Sequence, residues 1–339
     1  MGDKMKKVIS YIVNTIKEEY KFIILLLLLF IIFIYPLNYY IIIGGGASNV
    51  STRINVEDKY KSKGSFNISY VEELKGTVFT YLLSYIIPSW EREDANLYKY
   101  NVNESIDDIE FRSDLDLSYS NSNATYWAYT LANKSVDMVD TKIYVIAILD
   151  DFITELKIGD QIISIDGNTY DNIDKYKEYI QTLNENDYAL VKVLRNNKEK
   201  ELKCKIYKYK DKLMLGIGLQ ELDEYVTEPK VNIKFENGES GPSGGLITAL
   251  EIYNQLVKND LTKGKKIAGT GTIEKDGTIG EIGGVEYKIL GAAQAKMDIF
   301  LVPDGNYKDA IKYKKKHNLK IKIVKVSNIE EAINKLSTM

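Results

Sequence analysis

Cysteine and histidine are almost missing from this chain, which has Cys204 and His317 and no other of either type in 339 residues. A single cysteine excludes an internal disulfide and any cysteine-based zinc cluster. A single histidine excludes a multi-histidine metal site and leaves any Ser-His-Asp triad dependent on His317. That residue lies in the run KYKKKHNLK, the pattern of a solvated basic helix face. Catalysis, if the chain performs any, is therefore expected to use another base, and no metal or cofactor is expected. An excess of one charge is missing too. Lys+Arg number 45 and Asp+Glu 48, for a net charge of −3, which argues against nucleic acid as a partner. No G-x-x-x-x-G-K-[ST] phosphate loop occurs, so ATP is not an expected partner. There is no repeat at a fixed period and no low-complexity linker. With 45% hydrophobic and 27% charged residues, the composition excludes a disordered or collagen-like chain.

The first strong feature present is an apolar run. Residues 1–21 carry Lys4, Lys6, Lys7, Lys17 and Lys21, and residues 22–43 carry no charge. As one helix, 22–43 would extend about 33 Å, enough for a bilayer's hydrocarbon core. Pro36 would kink or end it, with Tyr35, Tyr39 and Tyr40 at the level of an interfacial aromatic belt. The lysines precede the run, so the positive-inside rule gives a cytoplasmic N-terminus. The expectation is a single-pass protein of the cell membrane, with 1–21 cytoplasmic, 22–43 transmembrane and everything after extracytoplasmic. A cleaved signal peptide is the alternative. The small residues Gly44-Gly45-Gly46-Ala47-Ser48 keep it open; the long charged leader and the missing A-x-A site oppose it.

Residues 44–115 read as a connecting region, with a strand at 62–70, a helix at 71–87 stopped by Pro88, and a polar, acidic surface excursion at 92–116. A helix is expected at 118–134. From 116 to 212 the pattern becomes β-rich: a buried-strand run KIYVIAIL at 142–149, LKIGDQIISIDG at 156–167, a short helix with Ile173, Tyr176, Ile180 and Leu183 on one face, and strands at 188–194 and 201–206. Cys204 alternates with Leu202 and Ile206 and so faces a core. The order of elements resembles a PDZ domain. That resemblance implies peptide binding by strand addition, in a groove between 143–148 and 173–183 lined by Ile143, Val145, Ile148 and Tyr176. The usual Gly-Leu-Gly-Phe-type carboxylate loop is not visible. A structural spacer is the plainer reading.

The last third carries the chemistry. In GESGPSGGLITALEIYNQL, at 238–256, a glycine-rich turn delivers Ser243 to the start of a helix. Unpaired N–H groups there suit a developing oxyanion; a simple helix cap is the bland alternative. In GTGTIEKDGTIGEIGGVEYKILGAAQAK, at 269–296, Lys288 shares a helix face with Gly291, Ala292 and Ala295. A face of small residues suits close packing, and a buried lysine has a lowered pKa and becomes a base; an ordinary surface lysine, one of many in this chain, is the plainer alternative.

Together, G-P-S-x-G with Ser243 and the run from Thr270 through Gly283-Gly284 to Lys288 resemble a Lon-type (S16) proteolytic domain over about 213–339. LVPDGNYKDAI at 301–311 and a closing strand and helix at 319–336 extend the likeness. The resemblance implies a Ser-Lys dyad, with Ser243 as nucleophile, Lys288 as general base and Thr270 orienting the lysine. Backbone around Gly241, Pro242 and Gly244 would help form the oxyanion hole. The departures are Ser240, where an acidic residue is common, and Gly244-Gly245, where Ala-Gly is usual. The front of the chain, including Tyr35-Pro36-Leu37, looks like the membrane-anchored PDZ–Lon proteins of Gram-positive bacteria. The expected fold class is α+β, combining a transmembrane helix, a PDZ-like domain and a Lon-type domain. The expected function is an ATP-independent serine endopeptidase acting on peptides or on unfolded or small membrane proteins. A homo-oligomer is compatible with the family. The alternative is a catalytically silent PDZ scaffold or adaptor at the cell surface.

Overall fold

A computed structural model describes residues 2–87 and 90–339. The elements run α1 (Gly2–Ile34), β1 (Pro36–Asn49), β2 (Ile54–Val56), β3 (Ser65–Thr77), α2 (Val78–Leu83), β4 (Glu91–Asp94) and α3 (Ile106–Leu131). They continue β5 (Ser135–Ile148), β6 (Gln161–Ile165), α4 (Ile173–Ile180), β7 (Tyr188–Arg195), β8 (Lys198–Lys205), β9 (Tyr207–Tyr209), β10 (Lys212–Met214) and β11 (Ile217–Glu228). The last are β12 (Val231–Ile233), α5 (Gly245–Leu256), β13 (Lys266–Gly269), α6 (Val285–Gln294), β14 (Ile299–Pro303), α7 (Tyr307–Lys316), β15 (Lys322–Val326) and α8 (Ile329–Thr338). The chain divides into a small unit of 1–44 and 72–97, and a large one of 45–71 and 98–339.

In the small unit the membrane-spanning helix expected over 22–43 does not form. α1 ends at Ile34 and Pro36 opens β1. Proline has no N–H to continue a helix, and the following Tyr-Tyr-Ile-Ile-Ile favours extended backbone. Tyr40, Ile41 and Ile42 are buried, and Tyr39–Ile42 pair antiparallel with β4. The apolar part of α1 is then 22–34, about 20 Å at helical rise, against a hydrocarbon core of about 30 Å. Among the described residues no helix is long and apolar enough to cross a membrane. The single-pass topology and the cell-membrane location assigned above are therefore corrected. The helix read over 71–87 is corrected too. β3 runs on to Thr77, whose hydroxyl accepts the Thr80 N–H in a capping box that starts α2. Pro88, read as its stop, lies outside the described residues.

The large unit has two hydrophobic cores around a mixed sheet, in the order β15-β14-β13-β3-β1. β3, β13, β14 and β15 are parallel, and parallel sheets are covered on both faces. Alternation sends Phe66, Ile68, Ile267, Ile299 and Leu301 to one side, against α3, α5 and α8. Ala268, Phe300 and Val302 go to the other, against α6 and α7. The segment read as connecting region thus supplies β3, and the acidic excursion at 92–116 contains the first turns of α3.

A third core belongs to a second sheet, in the order β11-β5-β6-β7-β8, with α4 against it. Cys204 is fully buried there, as its alternation predicts. A short hairpin of β9 and β10 precedes β11, which pairs with β5 along its whole length, from Ile217↔Ile148 to Glu228↔Ser135.

Candidate active site and peptide groove

Ser243 lies half-buried in the turn that opens α5. Four bonds hold this turn. The Gly241 N–H donates to Ser113 O at 2.9 Å and the Ser120 hydroxyl to Pro242 O at 2.8 Å, both from α3. The Ser243 carbonyl accepts the Gly271 N–H at 2.8 Å and the Thr270 hydroxyl at 3.1 Å, both just past β13. Gly241 has φ +79, so an L side chain there would be strained. Gly245 packs so closely on α3 that a Cβ would stand 2.1 Å from Ser120 Oγ. Of the amides near Ser243, that of Gly241 is committed to Ser113 and that of Gly245 closes onto Pro242 O at 3.2 Å. Those of Ser243 and Gly244 have no hydrogen-bond acceptor among the described residues, so they are the donors available to an anion. Pro242 has none.

Lys288 sits on α6 and is 4% exposed. It shares a buried stripe with Val285, Ile289 and Ala292. The small-residue face does what its composition suggests: Gly291 lies so close to the backbone of Gly45 and Gly46 that a Cβ would be 2.6 Å from it. Gly284 starts the helix at φ +64. The preceding loop is clasped by Asn306, whose Oδ1 accepts the Ile282 N–H at 2.9 Å and whose Nδ2 donates to Ile282 O at 3.0 Å. Thr270 is fully buried. The structure joins Thr270 to Ser243 directly and puts Lys288 in the helix layer beneath the same sheet. Ser113 and Ser120 carry no sequence signal, because α3 is far away in the chain and its serines look like ordinary surface polar residues.

In the β-rich part, Ile143, Val145 and Tyr176 are buried in the core and Ile148 is partly buried. β5 lies between β11 and β6, and β11 is the edge strand that α4 contacts; a cavity of about 610 Å³ is lined by Met138 and Ile143 of β5 with Lys175 and Tyr176 of α4. The Ile173 N–H donates to Glu221 Oε1 at 2.8 Å, fixing the start of α4 to β11. At its other end Gln181 holds both backbone groups of Leu213, at 3.0 and 2.8 Å. The turn into β11 contains Gly216 at φ +71. A cavity of about 410 Å³ opens next to β11, walled by Ile173, Leu219, Tyr119, Asp116, Glu274 and Pro242. Burial holds the Asp116 carboxyl above the usual carboxylate range, although Gln220 donates to it at 3.2 Å. Lys275, from the turn before α6, bridges to Asp223 at 2.8 Å and Glu221 at 3.2 Å on β11.

Residues 220–338 match the Lon protease (S16) C-terminal proteolytic domain, and residues 133–206 match the PDZ domain. A Lon protease of Trichlorobacter lovleyi is 36% identical over 95 residues, 28% of this chain and 11% of that protein. An archaeal Lon protease of Halobacterium salinarum is 28% identical over 116 residues, 33% of this chain and 16% of that protein. The match thus spans well under a fifth of either relative's length. The PDZ domain of the SdrC-like protein from Listeria monocytogenes aligns with 23% of this chain and 85% of that one, at 25% identity and a TM-score of 0.21.

Proposed function

We propose that this chain, which carries a Lon-type (S16) proteolytic domain and a PDZ domain, is a serine endopeptidase that works by a Ser243–Lys288 dyad and needs no ATP. The observation that carries the reading is a lysine at 4% exposure on the helix that follows the Thr-Gly turn, where the Thr270 hydroxyl holds the Ser243 carbonyl. Burial favours the neutral amine, the form a base requires.

In this mechanism Lys288 takes the Ser243 hydroxyl proton as Oγ attacks the scissile carbonyl carbon. The oxyanion receives the N–H groups of Ser243 and Gly244. The ammonium then protonates the leaving amine as the C–N bond breaks. Water, deprotonated by the same lysine, releases the acyl group from Oγ. These 339 residues contain no phosphate loop to power unfolding, so the substrates proposed are short or unfolded polypeptides. The peptide adds to the outer edge of β11, alongside α4, rather than to the flanked strand of Ile143, Val145 and Ile148. From there the cavity leads to Pro242, one residue from the nucleophile.

The test mixes the full chain with a library of unfolded peptides without ATP, beside Ser243→Ala. A peptidyl boronic acid, which forms a tetrahedral adduct with a serine Oγ, reports on the nucleophile. Cleavage and an adduct at Ser243 in the parent alone are expected. Cleavage that survives Ser243→Ala overturns the dyad.

A further inference from the structure

The cavity between β11 and the nucleophile turn has walls that the mechanism above does not use. It holds about 410 Å³, and Pro242, one residue from Ser243, forms part of its wall. Ile173, Leu219 and Tyr119 give it apolar sides. Asp116, on α3, and Glu274, between β13 and α6, add two carboxylates.

The cations nearby are already engaged. Lys275, the cation in the wall, is bound to Asp223 at 2.8 Å and to Glu221 at 3.2 Å. Glu221 is answered by Lys275 and by the Ile173 N–H at 2.8 Å. Arg112, one turn before Asp116 on α3, gives its guanidinium to Glu104 at 2.7 Å, Tyr98 O at 2.8 Å and Ile146 O at 3.1 Å. Asp116 and Glu274 each have a single neutral donor. Gln220 donates to Asp116 Oδ1 at 3.2 Å and the Thr272 hydroxyl to Glu274 Oε1 at 2.7 Å. The second oxygen of each has no hydrogen-bond partner among the described residues. Burial, helped by the Glu274 charge and opposed by Gln220 and Arg112, holds the Asp116 carboxyl above the usual carboxylate range. A cation brought between the two carboxyls favours the ionised form of both.

We propose that this cavity selects substrates with a lysine or arginine close to the scissile bond, and that Asp116 and Glu274 are its specificity-determining residues. The inference rests on the Ser243–Lys288 reading above, because Pro242 places the cavity beside the reacting bond only if Ser243 is the nucleophile. Lysine and arginine combine an apolar stem with a cationic head. The stem lies along Ile173, Leu219 and Tyr119. The head gives charge-assisted hydrogen bonds to the two free oxygens. An uncharged side chain of the same length fills the apolar part but takes water from both carboxylates without replacing it. A glutamate adds a like charge.

The test uses the full chain and a series of tetrapeptide boronic acids, read by calorimetry, with adducts located by mass spectrometry. One lysine is moved through the four positions in turn, and norleucine or glutamate replaces it in the controls. At one position lysine is expected to bind about tenfold or more tighter than norleucine, with glutamate the weakest. In the Asp116→Asn, Glu274→Gln double variant, whose amides still accept from Gln220 and Thr272, the lysine-to-norleucine ratio should fall to within about twofold of one. A parent with no preference for lysine at any position overturns the proposal. So does a double variant that weakens every peptide alike and keeps the ratio, since that describes a structural role. The adduct separates the two readings. A parent without an adduct at Ser243 overturns the dyad and this inference together; a parent with the adduct but no charge preference overturns the role of the cavity alone.

Discussion

Ser120 donates its hydroxyl to the carbonyl of Pro242 at 2.8 Å, tying the middle of α3 to the residue before the proposed nucleophile. Ser113, two turns earlier on α3, accepts the Gly241 N–H. The turn that presents Ser243 is therefore shaped by a helix more than a hundred residues upstream. Only glycine fits where α5 meets that helix.

Gly245→Ala is expected to destabilise the protein and abolish hydrolysis. The added Cβ would stand 2.1 Å from Ser120 Oγ and 2.7 Å from Ile273 Cγ2. Overpacking of this kind costs about 1–3 kcal/mol. Pairing it with Ser120→Ala removes the nearer contact, so the double variant should recover part of the lost melting temperature. A single variant with the parent's midpoint and activity would show that the helices separate freely here.

Thr270→Val is close to isosteric but has no hydroxyl to hold the Ser243 carbonyl. A small displacement of a nucleophile costs up to about a hundredfold in rate. The expected result is kcat/KM for a short peptide down by about ten- to a hundredfold, with Thr270→Ser near the parent. Val and Ser variants with equal activity would remove the hydroxyl from the account.

The chemical motif was legible because its residues are close in sequence: G-P-S-x-G fills one turn, and the spacing from Thr270 to Lys288 covers one loop and one helix. The small face of Gly291 and Ala292 allowed a buried Lys288 without deciding it against a surface lysine, and Lys288 is buried. What stayed hidden depends on partners distant in the chain. β3 pairs with β13 across some 200 residues, and nothing in SFNISY says so. Ser113 and Ser120 become supports only once α3 packs on α5. The apolar run at 22–43 misled because hydropathy counts residues without regard to backbone. Pro36 divides the run into the end of a helix and a strand with a buried Tyr40-Ile41-Ile42. The edge position of β11 was not legible because that strand comes last in the β-rich part, beyond the stretch inspected for a groove.

Lys275 offers a test on pH. Burial pulls its ammonium down, but the carboxylates of Asp223 and Glu221 outweigh burial and hold it above the ordinary lysine value. Its side chain is 55% exposed, so the pair contributes no more than about 1 kcal/mol. The folded pKa is raised above the unfolded one. The contribution is therefore complete below about pH 10.4, the ordinary lysine value, and is lost as pH climbs through the folded value. Urea midpoints of the parent and of Lys275→Met should differ at pH 7 to 9 and converge in the alkaline range. A constant difference across the range would assign the effect to packing of the lysine stem.

Excising the β-rich part tests whether it selects substrate or supports the chemistry, and the structure dictates where to cut. Removing 116–212, the span suggested by sequence, would halve α3, take Ser120, Ala124, Ala128 and Tyr129 out of the protease core and leave β11 without β5. Ser135 and Glu228 are paired across the base of the β5–β11 ladder, so their Cα atoms are about 5 Å apart. Residues 135–228 can then be replaced by a short glycine-rich bridge with little loop-closure cost. The expected variant folds, forms the boronic acid adduct at Ser243 and cuts short peptides within about tenfold of the parent's kcat/KM. It should lose discrimination among longer substrates, because the strand edge that would hold them has gone. If the variant folds and keeps the parent's cleavage pattern on every substrate, the PDZ domain is a spacer. If it folds without forming the adduct, then β11, through Lys275 and the cavity beside Pro242, is part of the catalytic assembly.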